Sequence, residues 1–139
     1  MGALDWMRAP GHVVRRERPH ATGGLMQFLL IICHDDSFTP TDRLITDIGD
    51  WEERMTREGI RVSGNPLRPP VDAATVRVRE GRTLRADGPF SDAREQMAAY
   101  ELVECAGLDQ AVYVAASHPM AEAGAIEVRP VWAELVRTA

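Results

Sequence analysis

Asp87 stands in the tetrad Asp87-Gly88-Pro89-Phe90, between two strand-like runs. Gly88 accepts a positive φ, and an aspartate so placed readily takes a hydrogen bond from a backbone N–H two or three residues on. Such an Asx-type turn needs no chemistry, yet it also holds a carboxylate at a loop rim, preorganised for acid–base work. His118 closes a helical stretch just ahead of Pro119, where the negative end of the helix dipole favours imidazolium. It serves equally well as a hydrogen-bonding group at a helix end. Asp87 and His118 are the candidate catalytic pair.

Glu127 and Arg129 alternate with Ile126 and Val128 and so share one strand face. If that face lines an interior, Arg129 needs an acid, which Glu95 or Asp87 could supply, in a structural ion pair or an anion site. Tyr100 offers a hydroxyl to a cavity or simply packs. Arg129, Glu95 and Tyr100 are therefore the candidate ligand-binding residues. His34 precedes Asp35 and Asp36, but no second histidine stands at ligand spacing, so loop solvation is expected and no metal. The chain has no Gly-rich phosphate loop and no nucleophile elbow, and no cofactor is expected.

The elements that must position these groups follow from patterning. Residues 26–33, MQFLLIIC, form a short apolar run, expected as a strand buried on both faces. Thr39-Pro40-Thr41-Asp42 predicts a helix start with Thr39 as cap, and Gly59 its end. Leu44, Ile45, Ile48, Trp51 and Met55 supply its apolar stripe. A strand at 60–63 precedes the Pro-rich loop 65–70. Residues 75–86 read as a hairpin turning at Glu80-Gly81. Ser91 predicts a single helical turn through Met97, followed by a strand at 98–105. Leu108, Ala111, Val112, Ala115 and Ala116 stripe a second helix, and 126–132 is a last strand, which Pro130 assigns to an edge or a bulge. The order predicts an α+β, ferredoxin-like domain with two helices on one face of a mostly antiparallel sheet.

Composition sets the outer bounds. At 139 residues the chain is expected to form one folded domain, 26–132, with a loosely ordered arm at 1–25 and a tail at 133–139. Met26 could itself be the translation start. All 16 basic residues are arginine, and the net charge of −5 argues against nucleic-acid binding. No 18-residue apolar run is present and no secretory signal is expected, and Cys33 and Cys105 fall in apolar runs, which predicts buried thiols and a cytoplasmic protein without membrane contact.

The runs MQFLLII, TVRVREGRTLRADGPF, REQMAAYELVE, LDQAVYVAASHP and IEVRPVW resemble the YCII-related family, specifically its DGPF branch, over residues 26–132. The resemblance implies a cytoplasmic bacterial ferredoxin-like protein that pairs face to face as a dimeric α+β barrel. It also implies a histidine–aspartate pair, proposed for one branch, and elimination chemistry on small aromatic compounds in some relatives. Residues 40–58 contain no histidine, and the branch's Asp-Pro is here His118-Pro119, so that pair is missing. The expected function is a homodimeric small-molecule-binding or regulatory module. The alternative is an enzyme performing acid–base or elimination chemistry through Asp87 and His118.

Overall fold

The computed structural model describes residues 24–137. The arm expected at 1–25 therefore lies, but for Gly24 and Leu25, outside the described residues. Strand β1 is Met26–His34, helix α1 Asp42–Arg57, and strand β2 Arg61–Pro66. A 3-10 turn at Pro70–Asp72 leads to the hairpin strands β3, Ala74–Arg79, and β4, Arg82–Asp87. Strand β5 is Gln96–Cys105, followed by α2, Leu108–Ala116, and the short α3, Met120–Ala123. Strand β6, Ala125–Pro130, and a terminal turn of helix, α4, Ala133–Arg137, complete the order.

The main sheet runs β2-β5-β1-β6, with every neighbouring pair antiparallel, and β3–β4 form a separate two-stranded sheet. Strand β6 lies at an edge, where Pro130 costs the ladder no hydrogen bond. The fold is ferredoxin-like α+β. Alternation along β1 sends Phe28, Leu30 and Ile32 to the helix-covered face, where all three are buried. Leu29 and Ile31 on the other face are only half-buried, so the strand is not buried on both faces as expected. Val103 and Cys105 join them from β5, and Trp51, Met55, Ala111, Val114 and Ala115 close the core from the helices. Fully burying side chains as large as Phe28, Leu30, Val103 or Met55 stabilises the fold by roughly 1.5–3 kcal/mol each.

Local chemistry explains where elements begin and end. Thr41, not Thr39, caps α1: its Oγ1 accepts from the Leu44 N–H at 3.1 Å. Gly59 follows the helix with φ 76°, a left-handed conformation that releases the chain into β2. Glu80 (φ 53°) and Gly81 (φ 76°) make the expected hairpin turn.

Three expectations need correction. The stripe of α1 excludes Ile45, which is exposed because it lies about 100° around the helix from Leu44. The buried face of α2 is Ala111, Val114 and Ala115, so Leu108 and Val112 are left half-exposed and Ala116 exposed. No helical turn forms at 91–97. Ser91 Oγ accepts from the Ala93 N–H at 3.2 Å in an irregular loop, and β5 begins at Gln96.

Candidate functional site

The tetrad ends β4. Gly88 has φ 109°, a conformation reserved for glycine, and its N–H donates to the Ala73 carbonyl at 2.7 Å. Thr75 Oγ1 donates to the Gly88 carbonyl at 2.9 Å. The turn is thus held by the start of β3. Asp87 contributes no cap: its carboxylate pairs with Arg85 at 3.1 Å, both side chains largely exposed. Beyond the turn, Pro89 and Phe90 face the Pro-rich loop and the first residues of β5 across an open groove of about 490 Å³. Leu67, Pro69, Pro70 and Met97 give it mainly apolar walls, and the Arg68–Asp72 ion pair at 3.0 Å supplies a charged edge. Phe90, 78% exposed, stands at this groove without cover among the described residues.

His118 sits in different surroundings. It is only 3% exposed, in the bend between α2 and α3. Its Nδ1 accepts the Met120 N–H at 3.0 Å, satisfying a free donor at the start of α3 and leaving the neutral ring's proton on Nε2. The ring meets Trp51 edge to face, centroids 4.5 Å apart, and Trp51 Nε1 donates to Ser117 Oγ at 2.9 Å. Burial pushes the His118 pKa down to about 4, outweighing any pull of the helix end toward imidazolium. No hydrogen bond or ion pair joins His118 to Asp87.

Arg129 and Glu127 lie opposite Leu29 and Ile31, on the sheet face away from α1 and α2. The acid paired with Arg129 is Glu127, through Nε at 2.8 Å and a second contact from Nη2, rather than Glu95 or Asp87. Tyr100 lies across from Ile31 on that face, and its hydroxyl accepts from Asn65 Nδ2 at 3.3 Å. Glu95 is exposed in the loop before β5. It acts with Glu127 on Cys33, whose thiol pKa is raised first by burial and then by those two charges. Cys33 is half-buried, not fully buried as expected, and both cysteines are free thiols.

The loop after β1 is a local hydrogen-bonded unit. Asp35 accepts from Ser37 Oγ and N and from Arg94 Nη2, which lowers its pKa to about 2. His34 stacks on Phe38 at 4.3 Å. Among the described residues no group of three His, Cys, Asp or Glu side chains is arranged to hold a metal ion.

Glu101 is the polar residue that motif reading missed. It is 2% exposed on the helix-covered face, sharing parity with Val103 and Cys105. Its Oε1 accepts from Arg61 Nε at 2.6 Å, and Arg61 Nη2 donates to the Gly64 carbonyl at 2.9 Å. Gly64 is needed for space, since a Cβ there would come within 2.0 Å of Glu101 Oε1. The signal was available: a charge at an alternate position of an otherwise apolar strand face.

With this geometry in view, the likeness to known proteins is informative. The family model for the YCII-related domain matches residues 26–134. An uncharacterised protein of Rhizobium meliloti (strain 1021) is 30% identical over 113 residues, covering 76% of this chain and 91% of the relative. The family match extends from the first residue of β1 into α4 and takes in the whole sheet, both main helices and the hairpin. The chain belongs to the YCII-related family.

Proposed function

We propose that this protein is a small-molecule-binding module that works as a homodimer in the cytoplasm. The groove beside the DGPF turn carries the reading. Its volume, about 490 Å³, falls within the range of ligand sites, and mainly apolar walls with one ion pair at the edge suit a small apolar molecule bearing a single polar group. Dimer formation is supported by the half-buried Leu29, Ile31, Tyr100 and Leu102 on the sheet face without helices, an apolar patch that a second copy would cover about a twofold axis. Two free thiols support a reducing compartment, and no helix among the described residues is long and apolar enough to cross a membrane.

The alternative, an acid–base or elimination enzyme using Asp87 and His118, has less support. Asp87 is engaged by Arg85, and His118 is enclosed beside Trp51 with its pKa low. The test is an amide-shift survey of the labelled protein against small apolar molecules carrying one polar group. Shifts are expected at Phe90, Met97 and the 67–70 loop, and Met97→Arg should abolish them while leaving the fold intact. Shifts confined to other surfaces, or unaltered in Met97→Arg, would refute the groove as the site.

A further inference from the structure

Glu101 has no part in the groove, yet it is among the most deeply buried charged side chains described. Three groups meet around it. From β2, Arg61 contacts the Glu101 carboxylate and the Gly64 carbonyl. From α1, Glu52 approaches the same guanidinium, Oε2 to Nη2 at 3.8 Å. From β1, the residue opposite Glu101 is the uncharged Leu30. The exposed Glu53 and Arg57 line, together with Glu52 and Arg61, a cleft of about 530 Å³. Two carboxylates thus share one guanidinium at the edge of an apolar core, a cluster one positive charge short of balance.

We infer that Glu52, Arg61 and Glu101 form a proton-operated clasp that fastens the edge strand β2 and helix α1 to the centre of the sheet. One shared proton closes it, and loss of that proton loosens β2. Glu101 is shaped for the role, because Gly64 leaves room for its carboxylate directly over the edge strand. Burial raises its pKa, the Arg61 hydrogen bond and charge lower it, and Glu52 raises it again, with a net rise to about 7. With both acids ionised, repulsion between them acts where β2 is already irregular, at the register shift between Arg61 and Ser63.

The experiment follows the Glu101 side-chain carboxyl by carbon NMR and the amide protection of β2 by hydrogen exchange, between about pH 5.5 and 8.5, near the ordinary neutral range for such linkage. Protection, corrected for intrinsic exchange, is compared with that of β1. In the wild type Glu101 should titrate well above the ordinary carboxylate range. Over the same interval β2 protection should fall by about tenfold or more relative to β1. Glu52→Gln restores charge balance from a half-exposed position, so the Glu101 midpoint should drop and the loss of protection vanish. Glu101→Gln should make β2 protection independent of pH. A wild-type Glu101 that titrates as an ordinary glutamate, or a β2 whose protection does not change with pH, would overturn the clasp. So would Glu52→Gln behaving as wild type.

Discussion

Asp87 and Gly88 divide a task that their sequence assigns to both. The turn rests on the positive φ of Gly88 and its bonds to Ala73 and Thr75, while the Asp87 carboxylate meets only the exposed Arg85. Gly88→Ala should therefore cost about 1–2 kcal/mol. Asp87→Ala should stay within about 0.5 kcal/mol of wild type, the scale of an exposed ion pair. Urea melts of the two variants check the order, and an Asp87→Ala loss as large as that of Gly88→Ala would return the turn to the carboxylate. His118 and Arg129 were legible as polar groups in suggestive places. Alternation put Glu127 on the face of Arg129, but the pairing was assigned to Glu95 or Asp87, and the Trp51 neighbour of His118 was not read. What decides a titratable group is the set of atoms around it. Trp51 reached His118 through the packing of one helix on another, which no short motif encodes.

At the scale of elements, patterning carried most of the fold. The apolar run of β1, the glycine after α1, the Glu80-Gly81 turn and Pro130 at a sheet edge all have local physical causes, and each was readable from its neighbourhood. The loop at 91–95 was not. Ser91 resembles a helix cap, but Gln96 Nε2 donates to the Ser91 and Ala93 carbonyls and braces them as an irregular loop leading into β5. The α2 stripe was misplaced because Val114 and Val112 are equivalent in type, and only the position of the sheet chooses between them. The hairpin offers a clean test of turn chemistry. Glu80 holds a positive φ, a conformation that the favoured turn residues Asn, Asp and Gly adopt at lower cost. Glu80→Asn should therefore stabilise the protein by about 0.5–1 kcal/mol, read as a higher midpoint in thermal or urea melts. A lower midpoint would mean that the Glu80 side chain makes an interaction that outweighs its backbone strain.

At the scale of the whole molecule, two buried groups among the described residues, His118 and Glu101, oppose each other in their effect on stability with pH. His118 has its folded pKa lowered from 6.5 to about 4, so the unfolded chain takes up a proton first as pH falls. Its contribution to stability, present above pH 6.5, is lost as pH falls toward 4. Glu101 has its folded pKa raised from 4.5 to about 7, so the folded protein takes up the proton first. Its contribution is present in full below pH 4.5 and is lost as pH rises through 7. Between those limits the slopes have opposite sign, and the wild type should show a shallow dependence. Asp35 does not disturb this window, because its lowered pKa acts only below its ordinary value of 3.8. Glu101→Gln removes one slope and should uncover the other, with stability falling as the solution is acidified from about pH 6.5, at no more than about 1.4 kcal/mol per pH unit for a single proton. His118→Asn keeps an acceptor for the Met120 N–H and should leave the reverse slope, stability rising as pH falls from 7 toward 4.5, beneath any constant loss from the altered packing. Denaturant melts across this range, at one fixed protein concentration, separate the two terms. If Glu101→Gln keeps the wild-type profile, the buried carboxylate holds no proton that the unfolded chain lacks, and the shallow wild-type curve must come from groups that do not titrate differently on folding.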